Sequence, residues 1–197
     1  QAGGMADGSR LQLTARGRAA VKKPPADVLK LLWQRWLKNG IIDEFSRVEA
    51  IKGQRSANAL SGLVPRRQLA ASGLWLLPLG EWVDVDHLFA RMQKEGMDPT
   101  VHRSGRGLWK LYLEDPQYGS FGYDGAYDWE LLQGRYVLAL LFEYAATLGL
   151  IDIRYTEPEG ARSDFREHWG GDWLPFLSRY DGLLAVRLNP LGKYCLE

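Results

Sequence analysis

Between Asp128 and Gly149 the chain carries a helical pattern in which only Glu130, Arg135 and Glu143 are charged. A helix that is apolar on every side has no face to give to water, so it must be packed around its whole circumference. Whatever else this sequence forms has to be arranged around that element. With 197 residues there is enough chain to do so, in one large or two small domains, without covalent staples. Glu143 interrupts the longest apolar run, Val137–Leu150, which excludes a membrane span. The single cysteine, Cys195, excludes a disulfide framework and a cysteine-built zinc site. It suits a reducing compartment, so a cytoplasmic location is expected.

The remaining elements follow from spacing and punctuation. Leu11 to Leu13 reads as a short strand running into a turn. Pro24-Pro25 precedes a helix expected from an N-cap at Asp27 to Gly40, with Trp33 and Trp36 on adjoining apolar stripes. Asp43 starts another helix, in which Phe45, Val48 and Ile51 recur every three residues up to Gly53. Residues 53–64 are small and polar and read as a connector between a basic N-terminal segment, 1–64, and a main domain, 65–197. Pro65 suits the first turn of a helix that stops at Pro78. Trp82 and Val83 form a short extended piece. Asp84 then caps the cleanest amphipathic helix, with Val85, Leu88, Phe89 and Met92 at i, i+3, i+4 and i+7. After an irregular stretch, 97–127, comes the apolar helix with Asp128 as its cap. Two alternating strands close the chain, Leu150–Tyr155 and Leu184–Leu188, separated by a long connection, 156–182.

Three helices followed by two strands that can pair over their open side resemble a winged helix-turn-helix domain. The resemblance is carried by Gly80-Glu-Trp-Val-Asp-Val-Asp-His-Leu, Leu148-Gly-Leu-Ile-Asp-Ile and Val186-Arg-Leu-Asn-Pro-Leu-Gly-Lys, over residues 65–197. It implies an α+β, mostly helical fold with a two- or three-stranded antiparallel wing sheet, and insertions at 97–127 and 156–182. A second likeness is internal. Leu11-Gln-Leu-Thr-Ala-Arg-Gly-Arg matches Val186-Arg-Leu-Asn-Pro-Leu-Gly-Lys at a constant offset of 175. The match implies either tandem modules of a longer protein or chance similarity between two short strand-turn segments. The sequence also departs from the resemblance. A DNA-reading third helix presents Arg, Lys, Asn or Gln to base edges, whereas here Gln133 and Arg135 are the only polar readers. Asp164, Glu167, Asp172 and Asp181 in the 156–182 connection are expected to repel phosphates.

Charge is unevenly distributed. Residues 1–67 hold 13 Lys and Arg against 5 Asp and Glu, a net +8, and residues 68–197 have a net −7. A basic cluster of this kind suits a phosphate backbone, since each neutralised phosphate releases counterions. The alternative is a solvated helical face. Two groups of candidates stand out: Arg16, Arg18, Lys22 and Lys23, and the segment His102–Lys110 with Arg103, Arg106, Trp109 and Lys110. The second mixes cations with an aromatic ring, as backbone gripping and base stacking require, unless Trp109 simply tucks into the core. With Arg135, these residues make up the expected contact set for duplex DNA. A competing reading comes from Phe165, Trp169, Trp173, Phe176 and Tyr180, which build either a satellite core or the anchors of an interface with a protein partner or a second copy.

Catalytic and metal chemistry are not proposed by the sequence. His87, His102 and His168 lack metal-ligand spacing. Ser104 beside His102, and Cys195, sit in no nucleophile motif. Gly105-Arg-Gly and the glycines of 119–125 match neither a P-loop nor a dinucleotide fingerprint. A non-enzymatic module without metal or cofactor is expected.

Overall fold

The computed structural model describes residues 6–7, 12–123 and 129–197. Strands β1 (Ala6–Asp7) and β2 (Gln12–Leu13) pair antiparallel ahead of helix α1 (Ala15–Ala20). Helix α2 (Pro25–Leu37) starts two residues earlier than the expected Asp27 cap. Pro25 already supplies the fixed φ of a first helical residue, so Asp27 lies in the first turn and caps nothing. A 3-10 turn, Glu44–Arg47, follows; its N-cap is Asp43, whose carboxylate accepts from the Phe45 N–H. Helix α3 (Leu63–Ser72) continues as a 3-10 turn to Leu76. Strand β3 (Trp82–Asp84) leads directly into α4 (Val85–Lys94), and α5 (Gly105–Leu108) is a single turn. The apolar helix is wound in two ways: α6 (Arg135–Ala139) is flanked by π turns Glu130–Gly134 and Leu140–Ala146. Strands β4 (Ile151–Tyr155) and β5 (Leu183–Leu188) and helix α7 (Pro190–Leu196) complete the chain. Leu11 and the expected cap Asp128 lie outside the described residues.

The class is α+β, and the principal sheet has three antiparallel strands in the order β3-β5-β4. Its register alternates as a half-buried sheet should. Val83, Val186 and Ile153 form one row, with Val186 fully buried, while Trp82, Arg187 and Asp152 form the next. In the second row Arg187 pairs with Asp152 at 2.8 Å. The guanidiniums of Arg187 and Arg154 lie 4.8 and 4.3 Å from the Trp82 ring centroids. One apolar cluster runs from Trp33 and Phe45 through α3, α4 and α6 to Cys195, so residues on both sides of the 53–64 connector share a core. No helix among the described residues is long and apolar enough to cross a membrane.

The internal match has a structural counterpart. Leu13 and Leu188 each end a strand. Thr14 and Asn189 each cap a helix, their side chains accepting from Gly17 N at 3.1 Å and Gly192 N at 2.9 Å. What reads as a turn is in both copies a helix N-terminus, capped three residues on.

Around α6 every residue from Trp129 to Leu141 is buried except Glu130. Its one interior cation, Arg135, is fully buried and uses all five guanidinium N–H donors. Nε donates to Asp181 Oδ1 (3.0 Å), Nη2 to Asp181 Oδ2 (3.3 Å) and Asp164 Oδ1 (2.6 Å), and Nη1 to the Glu130 carbonyl (3.1 Å) and Asp164 Oδ2. Asp181, also buried, accepts in addition from the Leu177 and Ser178 N–H groups. Burial opposes the charge, but the two carboxylates hold the Arg135 pKa above its ordinary value. This triad fastens the 156–182 connection to α6. It corrects two expectations: Arg135 does not face a ligand, and Asp181 is buried against it, whereas Asp164, Glu167 and Asp172 remain exposed.

A second buried group binds the N-terminal segment. Arg67 pairs with Glu44 at 2.6 Å, both side chains fully buried, and donates to the carbonyls of Trp36, at the end of α2, and of Asn39 and Ile42 in the segment after it. Tyr136 donates to the other Glu44 oxygen at 3.0 Å, and Arg66 pairs with Asp43 at 2.5 Å.

Replacing Arg135 by Met strands two carboxylates and is expected to cost about 3–5 kcal/mol, the usual loss when one partner of a buried pair is removed. Urea denaturation of R135M beside D164N, which keeps Asp181 paired, measures it; an unchanged R135M midpoint contradicts the role given to the triad. The tyrosines add a pH dependence. Burial, then Glu44, pushes the Tyr136 phenol up, and burial with Glu143 does the same for Tyr180. The folded state keeps these protons above about pH 10, where unfolded tyrosines lose them. Their contribution is therefore complete below that pH and is lost as pH rises beyond it. Thermal unfolding should show a decline above about pH 10 that is shallower in Y136F than in the parent.

Candidate nucleic-acid interface

The exposed cations fall into two groups on different elements. The first is α1 and the turn after it. Arg16, Arg18, Lys22 and Lys23 are all exposed, and no acidic residue occurs from Gln12 to Ala26. Thr14 fixes where α1 begins, and Arg18 Nη1 donates to the Leu13 carbonyl at 2.8 Å, laying its guanidinium along the strand end. Between α1 and α2 runs a cleft of about 410 Å³ lined by Arg16, Lys23 and Arg35, with Ala20, Val28 and Leu31 as its apolar floor. Asp27 is the carboxylate there, and it accepts from the Tyr194 hydroxyl at 2.5 Å.

The second group is built by two loops that run antiparallel, joined where Lys52 meets Tyr112 and Leu60 meets His102. Ser104 caps α5, its hydroxyl accepting from Gly107 N at 3.3 Å. Gly107 is required because α5 is pressed onto the neighbouring loop: a Cβ there would lie 2.6 Å from the Ala59 carbonyl oxygen. With that side of the turn occupied, Arg103 and Arg106 are exposed and Trp109 is 50% exposed. Arg103 donates to the Asn58 side chain, and Lys110 Nζ to the Ala57 carbonyl at 2.5 Å. The loop thus brings Arg103, Arg106, Trp109 and Lys110 together as the sequence suggests, and Trp109 does not tuck into the core.

Other expected site residues lie elsewhere. Arg135 and Gln133 are buried within the helix. Phe165 and Tyr180 are core residues: Phe165 is fully buried, and Tyr180 donates to Glu143 on the helix. Neither has surface to offer a partner, because both hold the 156–182 connection down. Phe176 is half-buried, Trp169 is 48% exposed and Trp173 is 82% exposed.

Several surface residues escape sequence reasoning. Lys52 and Arg55, part of the basic segment but of neither candidate group, line a shallow hollow with Glu49, Gln54, Ser56 and Tyr112 on the loop that supports α5. Tyr118 and Tyr123 are exposed, and the ring that turns inward between them is Phe121, stacked on His168 at 4.3 Å. The glycines of this stretch give a loop, not which ring turns inward.

No family model, curated protein or solved structure matches this chain.

Proposed function

We propose that this chain is a non-enzymatic, winged-helix-like module that binds nucleic acid, duplex DNA in the first instance, through its backbone. The topology supports the first half: helix α3, strand β3, helices α4 and α6, then β4 and β5, is the chain order that the resemblance implies, and the strands join in one three-stranded antiparallel sheet. A groove-reading third helix is not part of the proposal, because the helix in that position is enclosed on all sides.

The observation that carries the second half is how the cations divide. Those with structural work, Arg66, Arg67 and Arg135, are buried against carboxylates. Arg16, Arg18, Lys22, Lys23, Arg103 and Arg106 remain exposed, the first four on a stretch without acidic neighbours in sequence. Backbone contacts position a protein on a duplex without reading its sequence, so binding should be salt-dependent and nearly indifferent to sequence. A second reading, an assembly scaffold, is favoured by the exposed Trp173 and Trp169, and it requires no salt dependence of this kind.

Affinity for a duplex oligonucleotide measured across a salt series separates the two. The intact chain should show a linear log–log dependence. Alanine at Arg16, Arg18, Lys22 and Lys23 together should reduce its slope by roughly one for each phosphate that is no longer neutralised. Absence of binding at low salt, or a slope unaffected by the substitutions, contradicts the proposal.

A further inference from the structure

The second cationic group continues into a run of exposed aromatic rings. Trp109, at the end of α5, meets Tyr123 edge-on, with centroids 4.8 Å apart and planes at 71°. The Tyr123 hydroxyl donates to the Gln117 carbonyl at 2.8 Å, which ties it to the residue beside Tyr118. The Tyr118 ring in turn lies 5.7 Å from that of Trp169. Each of the four rings keeps between 48% and 61% of its surface exposed.

This run is held from beneath. Ser120 donates to the Trp109 carbonyl at 3.0 Å, and Phe121, fully buried, stacks on His168, whose Nε2 lies 2.9 Å from the Gly119 oxygen. Gly122 is flush against the indole: a Cβ there would sit 2.2 Å from Trp109 Cδ2. The backbone thus covers one side of the Trp109 ring and fixes its position, while half of its surface stays open to solvent. Rings positioned in advance lose little side-chain freedom when something binds.

We infer that these four rings form a stacking ledge for unpaired bases of a single-stranded nucleic acid, with Arg103, Arg106 and Lys110 holding its backbone at the Trp109 end. This rests on the nucleic-acid reading above and names the strand state the second group prefers. Charge selects the occupant. The cations flank Trp109, as a polyanion requires, and base–aromatic stacking is tolerant of sequence because every base has a π face. Within a duplex those faces are covered by neighbouring base pairs, so the ledge discriminates for the unpaired strand. At the far end the charge reverses: Glu114 and Glu167 are exposed, and Asp115 is already engaged by the Gln117 and Tyr118 amides. Phosphates are therefore gripped at the Trp109 end and only bases are contacted at the other, which confines the site to a short strand.

The test titrates the full chain with a fluorescent dT15 oligonucleotide and with a 15-base-pair duplex at matched salt, alongside W109A, Y118A and G122A. Circular dichroism and urea denaturation establish that each variant is folded. In the parent, dT15 should bind more tightly than the duplex. W109A should weaken dT15 binding by about tenfold to a hundredfold, in the range that one base–aromatic stack supplies, and weaken duplex binding by less. G122A, which displaces the indole without removing it, should reproduce W109A and shift the tryptophan emission. Duplex binding without dT15 binding, or dT15 binding that W109A and Y118A leave intact, overturns the ledge while the backbone reading stands. Binding to neither overturns both. Self-association abolished by W109A or Y118A, with dT15 affinity unaltered, assigns the rings to a protein contact and also overturns it.

Discussion

A guanidinium buried inside an apolar helix is the constraint on which the rest of this structure depends. Arg135 cannot be left without partners there, because an uncompensated charge in a low-dielectric interior costs several kcal/mol. Asp164 and Asp181 therefore have to come to it, and they bring the 156–182 connection with them. Since β4 and β5 flank that connection, its seating on α6 also helps to hold the sheet across the helix. Phe165, Leu177 and Tyr180 then complete a cover that the charge pairing has positioned.

Enclosing α6 also explains where function is left to reside. The helix is covered by the 3-10 turn at Glu44–Arg47, by α4 and by the long connection, so no groove of a nucleic acid reaches it. The chain's cations divide accordingly. Arg66, Arg67 and Arg135 are committed to internal carboxylates, and Arg67 additionally donates to the Trp36 carbonyl at the end of α2 and to that of Asn39 after it. Those on α1 and around α5 stay in water, on short elements fixed by a side-chain cap or by a glycine close approach. A rigid interior with its recognition groups on loops is a common division of labour.

The sequence made the elements legible where periodicity or punctuation was strong: the amphipathic α4, α3 with Pro65 in its first turn, the two alternating strands and their pairing. The offset of 175 was legible too, although a helix cap looked like a turn, because Thr and Asn serve both. Asp27 was misread since the preceding prolines already start α2. Arg135 was misread for a different reason: spacing shows that a helix is apolar all round but not that its one cation has carboxylates 29 and 46 residues away. Phe165 and Tyr180, like Trp169 and Trp173, are aromatic residues in an irregular segment. Only tertiary packing decides which pair is buried. The same holds for Phe121 against Tyr118 and Tyr123.

Amide hydrogen exchange tests most directly whether the connection and the helix are one cooperative unit. The Leu177 and Ser178 amides, which donate to Asp181, should exchange as slowly as those of 135–141, through a common opening. Exchange of 165–181 that is orders of magnitude faster than that of the helix would contradict the account, because the buried ion triad would then not be what holds the two together.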